Sequence, residues 1–363
     1  MKKIGIYVHI PFCKSKCPYC DFYSLKNDCL LQKEYAQKVK KEIISYENIS
    51  ADTIYIGGGT PSTIDGKDIA EIVDTAKKQF SFTDGEITVE VNPSSCSKDF
   101  IEQIACSGVN RISLGVQSIN DGERKILGRK SDSDEILSAI NLIKSFSIDN
   151  ISLDVMLGIP NQTKDSLKKT LDFCIDSGVK HISAYILKIE ENTFFYKNKQ
   201  RYIFPDDETT AQLYEFCCRY LEKNGFFQYE ISNFSLPGFE SKHNLKYWNC
   251  EEYLGFGPSA HSFFNCKRFF HTSDMDNYIE NPIVTVDDGD GGSFEEYTML
   301  KLRLAKGLLE KEVMNDFNFK IPEKIRKRAE KFVENNYVVS DEKGIRLTPK
   351  GFLVSNYIIS EII

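Results

Sequence analysis

Three cysteines near the start of the chain have the spacing of iron–sulfur ligands. Cys13, Cys17 and Cys20 form a C-x3-C-x2-C motif directly after an apolar run, Ile4–Ile10. Thiolates this close in sequence suit the corners of one [4Fe–4S] cluster, and three of them leave the fourth iron open to a small molecule. The alternatives are a structural zinc site, which normally has four ligands in two separated pairs, and three unrelated buried thiols.

The chain around this motif alternates strand-like and helix-like segments. Apolar runs rich in Ile and Val predict strands at residues 4–10, 53–56, 87–91, 111–116, 151–157 and 181–187. Helical periodicity lies between them at residues 31–46, 68–80, 98–105, 134–146 and 164–175. This alternation predicts parallel βαβ units. We therefore expect an α/β fold, a partial (β/α)6 barrel that is incompletely closed, with its chemistry at the carboxyl ends of the strands.

Further polar or glycine-rich residues occupy the ends of the later strands. Gly57-Gly58-Gly59-Thr60-Pro61 follows the second strand, where a bare backbone can approach a ligand closely. Glu90, Gln117 and Asp154 interrupt or end the next three apolar strands, and Arg129 follows the fourth strand. Paired burial for structural reasons is one interpretation of these polar groups. A ring of contacts around a bound ligand is the other.

Taken together, the motifs resemble those of the radical S-adenosylmethionine (SAM) superfamily. Within it, Tyr-x-His-Ile-Pro-Phe-Cys, Gly-Gly-Gly-Thr-Pro, Glu-Val-Asn-Pro, Leu-Gly-Val-Gln-Ser and Leu-Asp-x-Met-x-Gly-x-Pro are similar to the anaerobic coproporphyrinogen III oxidase family, over residues 4–262. The resemblance implies that the open iron binds SAM. The implied SAM contacts are Tyr7, Tyr19, Gly58, Gly59, Thr60, Glu90, Gln117, Arg129 and Asp154, with Lys188 and His261 from looser matches.

One position separates the branches of that family. The oxidase branch carries a further cysteine two residues after the third, and Phe22 occupies that position here. The sequence Cys-Pro-Tyr-Cys-Asp-Phe is instead similar to the haem chaperone branch. A second likeness to that branch is a His-Asn-x-x-Tyr-Trp motif, which runs from His243 to Trp248 and which the resemblance associates with haem binding.

The resemblance makes His243, Tyr247 and Trp248 the predicted haem residues. An imidazole is a good axial ligand for haem iron, and flanking aromatic rings can stack on a porphyrin face. Taken alone, a histidine among aromatic residues is more often packed and hydrogen-bonded than functional. His9, His261 and Cys250 are the other candidate iron ligands.

The end of the chain predicts a second, smaller domain. We predict a radical SAM barrel over residues 1–200, an extension with the His-Asn-x-x-Tyr-Trp motif over 201–286, a polar Gly-rich linker over 287–293 and a winged-helix-like α+β domain over 294–363. The linker is acidic but lacks the full EF-hand pattern, so calcium is not expected. Basic residues in segment 322–335 alternate with glutamates, which favours a solvated helix face over a DNA-binding one.

Composition restricts the partners and the compartment. A net charge of −7 argues against a nucleic-acid backbone as the main partner. No apolar run approaches the roughly 20 residues of a membrane span, and the apolar start has no signal-peptide cleavage site. Of the eleven cysteines, those outside the motif are scattered, which predicts small core residues in a reducing cytoplasm rather than a disulfide framework.

Three functions remain open at this point. The first is a cytoplasmic haem chaperone that carries a [4Fe–4S] cluster, SAM and haem and delivers haem to acceptor haemoproteins, with respiratory enzymes among the candidates. The second is oxidative decarboxylation of coproporphyrinogen III through a 5'-deoxyadenosyl radical, and the third is another radical SAM reaction on a tetrapyrrole. Phe22 and the His-Asn-x-x-Tyr-Trp motif favour the first. The sequence leaves open whether the chain forms a homodimer.

Overall fold

The computed structural model describes residues 3–363 and contains one twelve-stranded sheet and two small sheets. The strands are β1 (Ile4–Ile10), β2 (Phe12–Cys13), β3 (Leu25–Lys26), β4 (Ala51–Gly58), β5 (Glu86–Val91), β6 (Arg111–Gln117), β7 (Asn150–Leu157), β8 (His181–Ile186), β9 (Phe227–Gln228), β10 (Asn233–Ser235), β11 (Tyr253–Phe256), β12 (His261–Phe264), β13 (Lys267–Phe270), β14 (Val286–Asp290), β15 (Leu308–Leu309), β16 (Val338–Asp341) and β17 (Gly344–Leu347).

The helices surround the large sheet and continue into the C-terminal region. They are α1 (Cys29–Ile44), α2 (Gly66–Gln79), α3 (Lys98–Cys106), α4 (Asp121–Ile126), α5 (Ser133–Ser145), α6 (Lys164–Asp176), α7 (Phe194–Lys197), α8 (Asp207–Lys223), α9 (Lys242–Trp248), α10 (Met275–Glu280), α11 (Phe294–Lys301), α12 (Glu310–Phe317), α13 (Glu323–Glu330), α14 (Pro349–Leu353) and α15 (Ser355–Ile362). Short 3-10 helices lie at Pro61–Thr63, Pro93–Ser95 and Lys199–Arg201. Among the residues described, no helix combines the length and apolar character of a membrane span.

Seven neighbouring strands of the large sheet are parallel. The strand order is β14-β13-β12-β11-β1-β4-β5-β6-β7-β8-β10-β9, with parallel pairs from β11 to β8 and antiparallel pairs outside them. The six strands predicted from the sequence and the partial α/β barrel are confirmed. The seventh parallel strand, β11, was not predicted, because its four residues are too few to show a strand pattern.

Each inner strand has one apolar and one polar face, because successive side chains of a strand point to opposite sides. Outward residues such as Ile6, Ile54 and Val89 are fully buried in the core shared with the helices. The inward positions are occupied by Tyr7 and His9, Thr53 and Tyr55, Thr88 and Glu90, Arg111 and Ser113, Ser152 and Asp154, and His181 and Ser183. Polar side chains therefore line the whole inside of the barrel. From the sequence, they were predicted only at the carboxyl ends of the strands.

Helix α9 closes the amino end of the barrel. The Glu86 carboxylate, at the start of β5, accepts hydrogen bonds from the backbone N–H groups of Lys242 (3.2 Å) and His243 (3.1 Å). An acidic group at a helix N-terminus is favoured by the helix dipole. The His-Asn-x-x-Tyr-Trp motif therefore lies at the opposite end of the strands from the cysteine motif.

The C-terminal region has the predicted order of helices and hairpin. β16 and β17 pair antiparallel, with Val338 opposite Leu347, and β15 adds a third strand. The basic helix α13 is shorter than the predicted segment 322–335, and its Arg326 pairs with Glu310. The predicted linker differs: its first residues belong to β14, which pairs with β13 at the sheet edge, so that residues 291–293 remain as the connection to α11. The domain boundaries remain predictions, and residues 1–2 of the first domain lie outside the described residues.

Candidate metal and cofactor site

The cysteine loop leaves β1 and turns back at the carboxyl end of the barrel. The Cys20 N–H donates to the carbonyl of Cys17 (3.1 Å), which closes a tight turn, and Cys13, Cys17 and Cys20 are all partly exposed thiols. Burial, together with its two cysteine neighbours, raises the pKa of Cys20. Within residues 3–363 no three His, Cys or acidic side chains converge on a single-ion site. The ligands of a four-iron cluster instead bind different iron atoms.

The glycine loop packs directly against the cysteine loop. The Gly59 N–H donates to the carbonyl of Ile10 (2.7 Å), and the Thr60 N–H donates to the carbonyl of Phe12 (2.8 Å). A Cβ atom on Gly59 would lie 2.8 Å from both carbonyl oxygens, so only glycine fits there. The Thr60 Oγ1 then lies 3.4 Å from the Cys13 Sγ. The glycine loop thus positions the first cysteine of the motif.

Gly58 is held in a conformation that few other residues adopt. Its φ is +109°, and a Cβ atom there would lie 2.6 Å from the ring of His9. The Gly58 N–H donates to Glu90 Oε2 (3.1 Å). His9 itself is hydrogen-bonded on both ring nitrogens, to the Tyr7 hydroxyl (2.9 Å) and to the carbonyl of Tyr23 (3.1 Å). His9 therefore supports the glycine loop.

Two partly buried carboxylates, Glu90 and Asp154, lie on the inner face of the barrel. Glu90 accepts a hydrogen bond from the Tyr55 hydroxyl (2.8 Å), but burial, reinforced by the charge of Asp154, raises its pKa to about 7. Asp154 accepts a hydrogen bond from Ser113 (3.0 Å), and burial raises its pKa to about 6. In the part of the chain described, no salt bridge joins either carboxylate to a cation. Such groups fit a cationic ligand such as the sulfonium group of SAM, since an opposite charge offsets the cost of burial.

A second group of polar side chains meets beside Gly115. A Cβ atom on Gly115 would lie 3.5 Å from Gln117 Nε2 and 3.6 Å from Arg129 Nη2. The same Arg129 nitrogen donates to the Tyr19 hydroxyl (2.6 Å), which ties the cysteine loop to the segment between α4 and α5. Gln117 Oε1 and Arg129 Nε are buried without a hydrogen-bond partner. Because buried polar atoms are normally satisfied, this pair fits the polar groups of a bound ligand.

Two of the implied SAM residues lie apart from this group. The Lys188 side chain is 81% exposed, and its Nζ pairs with Glu190 Oε1 at 2.6 Å. His261 is exposed on β12, where its ring stacks on Phe270 with centroids 5.1 Å apart. Both positions came from the looser motif matches, and the contacts described for them lie outside the site.

His243 is fully buried at the closed end of the barrel. Its Nδ1 is hydrogen-bonded to the Thr53 hydroxyl (2.8 Å), its Nε2 to the Tyr247 hydroxyl (2.7 Å), and its ring stacks on Tyr55 at 5.3 Å. Burial and the charge of Lys246 lower its pKa to about 3, so the imidazole is neutral. Binding to iron would cost His243 one of these two hydrogen bonds. These contacts are those of a packed, hydrogen-bonded histidine. Its role as an axial ligand of haem stays a prediction.

The other two aromatic residues of the motif also pack within the protein. Tyr247 meets Tyr253 edge to face at 4.5 Å, and the guanidinium carbon of Arg303 lies 5.8 Å from the centre of the Trp248 ring. The motif therefore joins the barrel floor to the C-terminal region. Their role in haem binding stays a prediction.

Tyr55 is the important residue that was not predicted from the sequence. It links the two ends of the barrel, because its ring stacks on His243 while its hydroxyl donates to Glu90. The sequence did contain an indication of this role: Tyr55 lies two residues before Gly57, so the two residues lie on the same face of the strand. The partners of Tyr55 could not be inferred, since they come from β5 and α9.

Comparisons with known proteins agree with this geometry. A model of the Radical SAM superfamily matches residues 7–174. "Heme chaperone HemW" of Lactococcus lactis subsp. lactis is 33% identical over 324 residues, 87% of this chain and 86% of that protein. The HemW of Haemophilus influenzae is 31% identical over 93% of this chain and 92% of its own length. The solved structure of the radical SAM enzyme coproporphyrinogen III oxidase (HemN) from Escherichia coli superimposes with a TM-score of 0.85 over 99% of this chain and 90% of that chain, at 20% identity, which shows the fold.

We expect the Tyr55 hydroxyl to strengthen SAM binding through Glu90. Tyr55→Phe should raise the pKa of Glu90 further, because the lost hydrogen bond favours the charged form. Glu90→Gln should weaken SAM binding at pH 8 by about 1.5–3 kcal/mol, or roughly ten- to a hundredfold. Calorimetry on cluster-loaded protein measures the SAM affinity of the wild type and of each variant. Unchanged affinity in Glu90→Gln would assign Glu90 a structural role alone.

SAM binding should also release a proton from Glu90 near neutral pH. With a pKa of about 7, Glu90 is partly protonated there, and a cationic ligand favours its charged form. Affinity should therefore rise as the pH increases through 7. Folding stability without ligand should change in the opposite direction. Because the pKa of Glu90 is raised from 4.5 to about 7 in the folded protein, its contribution to the free energy of unfolding should fall as the pH rises over that range.

Calorimetry at pH 6.5 in buffers of different ionisation enthalpy counts the released protons. Glu90→Gln removes the proton that Glu90 releases on binding but keeps the proton that the SAM amino group releases. Equal proton release in the wild type and in this variant would contradict the assignment.

Proposed function

We propose that this chain, which belongs to the HemW family of radical SAM proteins, is a haem chaperone that binds haem and transfers it to acceptor haemoproteins. The observation that carries this proposal is 33% identity over 86% of the length of the haem chaperone of Lactococcus lactis. The likeness to coproporphyrinogen III oxidase concerns the fold, at 20% identity. Phe22, 67% exposed beside the cysteine motif, supports the choice because the oxidase branch has a cysteine there.

Cys13, Cys17 and Cys20 would hold a [4Fe–4S] cluster as its three protein ligands. When bound, such a cluster supplies an open iron that takes up the amino and carboxylate groups of SAM and a source of one electron. Thr60 faces the first of these cysteines, and the bond between Arg129 and Tyr19 fixes the loop that carries the others. The part of the protein is to orient the loop that carries the cysteines.

The remaining polar groups would position SAM. Glu90, held by Tyr55 and Gly58, offers a carboxylate to a cationic group. Asp154 offers acceptor oxygens to hydroxyl groups of the ribose, and the unpartnered atoms of Gln117 and Arg129 offer one acceptor and one donor. This assignment is supported by burial and by the lack of internal partners for these two atoms.

The compartment and the partners belong to the same proposal. Cys174, Cys217 and Cys218 are buried in the core as small apolar residues, which suits a reducing cytoplasm. The acceptors are proposed to be haemoproteins, with respiratory enzymes as first candidates, and assembly as a homodimer remains a proposal to be tested by its mass in solution.

Oxidative decarboxylation of coproporphyrinogen III is the second candidate, because the fold matches that of HemN over 99% of the chain. One preparation with cluster and SAM can be assayed for both functions. We expect haem to bind with a shifted Soret band and coproporphyrinogen III to remain unconverted. The Cys13→Ala variant is the control for cluster-dependent chemistry. Robust, cluster-dependent formation of protoporphyrinogen by the wild type would replace the chaperone proposal with the oxidase.

The three-ligand cluster has its own test. Cys13→Ala, Cys17→Ala and Cys20→Ala should each abolish the absorbance and electron paramagnetic resonance signal of the [4Fe–4S] cluster. Cys29→Ala should keep them, because Cys29 is an exposed residue at the start of α1. If Cys29→Ala folds but loses the cluster, the three-ligand assignment is wrong.

A further inference from the structure

The five histidines of the chain differ sharply in accessibility. Four are buried, with exposed fractions of 4% or less, and these are His9, His181, His243 and His271. His261 is exposed and is the remaining one. Haem iron needs an imidazole nitrogen that a large planar ring can reach, and a histidine packed in the core would first have to be uncovered.

The buried histidines are also occupied by hydrogen bonds. His181 bonds to Ser152 (2.7 Å) and Tyr229 (2.8 Å), and His271 Nε2 lies 2.7 Å from the buried carboxylate of Glu42. His9 and His243 each have both ring nitrogens bonded, as described above. His261 is instead an exposed residue, and the contact described for its ring is a stack on Phe270.

His261 lies on the same face of the sheet as the residues that line the barrel. Tyr7 pairs with Gly255, and Tyr253 pairs with Phe263. Directly paired residues share a face of a sheet, and so do residues two apart along a strand. His261 therefore shares the inner face with Tyr7, and Gly255 places no side chain between them.

An exposed apolar strip continues from His261 to the edge of the sheet. His261 pairs with Phe270, and Phe270 pairs with Val286, so the three side chains form one row across β12, β13 and β14. Val286 is 40% exposed, and the neighbouring Val284 and Ile283 are 60% and 54% exposed. Exposed apolar groups in one patch often mark a binding surface. We call the row of His261, Phe270 and Val286 the hairpin surface.

We infer that haem binds on the hairpin surface, with His261 as the axial ligand of its iron. This inference rests on the proposed haem chaperone function and names the site that the function would use. The imidazole supplies the iron ligand, and Phe270 and Val286 supply apolar contacts to the porphyrin ring. Haem would then lie outside the barrel, on the strands beyond β11, whereas SAM would lie within it.

The direct test is haem binding to His261→Ala. We expect its haem affinity to fall at least tenfold and its Soret band to shift towards that of haem without a protein ligand, and added imidazole should restore the wild-type spectrum. Cys266→Ala, on the turn of the same hairpin, is the matched control and should bind haem like the wild type. The cluster absorbance of both variants reports that the barrel is folded.

Two further variants keep the inference open to contradiction. Val286→Asp puts a charge on the apolar strip and should weaken haem binding several-fold without removing the axial ligand. His243→Gln tests the rival ligand in the family motif. A wild-type spectrum and affinity in His261→Ala would overturn the inference, and so would loss of the axial ligand in His243→Gln with His261 present. Wild-type protein that binds no haem would instead overturn the proposed function.

Discussion

The partly buried carboxylate of Glu90 is the constraint on which the rest of the site depends. Burying a charged group is costly unless hydrogen bonds or an opposite charge compensate it. Glu90 has two neutral donors, the Tyr55 hydroxyl and the Gly58 N–H, and its pKa of about 7 shows that they compensate only in part. The Gly58 donor is available only because the backbone there has a positive φ, which glycine adopts without strain. A cationic ligand would complete the compensation.

The same constraint explains the position of the His-Asn-x-x-Tyr-Trp motif. The hydrogen bond from Tyr55 to Glu90 depends on the position of the Tyr55 ring. The ring of His243, on the side of the closed amino end, stacks on that ring and fixes it. His243 is in turn oriented by Thr53 and Tyr247. The motif thus closes the amino end of the barrel. Under the inference drawn above, haem would bind on the exposed His261 and SAM inside the barrel, so that one protein could hold haem without blocking its SAM site.

Much of this architecture could be predicted from the sequence. The cysteine spacing and the six apolar strands are local patterns, and the structure has each strand where it was predicted. β11 and β14 were not predicted, because a four-residue strand and a polar, Gly-rich edge strand depend on backbone pairing with neighbours rather than on their own side chains. The hydrogen-bond partners of His243 could not be predicted either, because one of them, Thr53, lies 190 residues away in the chain. The exposure of His261, compared with four buried histidines, is likewise a property of the folded sheet.

The most direct test of the account is the kinetics of haem transfer. Haem-loaded protein is mixed with the apo form of a respiratory haemoprotein in a stopped-flow instrument, and the shift of the Soret band is followed at increasing acceptor concentration. A chaperone that hands haem over in a complex predicts a transfer rate that rises with acceptor concentration. A rate that stays constant, equal to simple haem dissociation, for every acceptor tried would contradict the account.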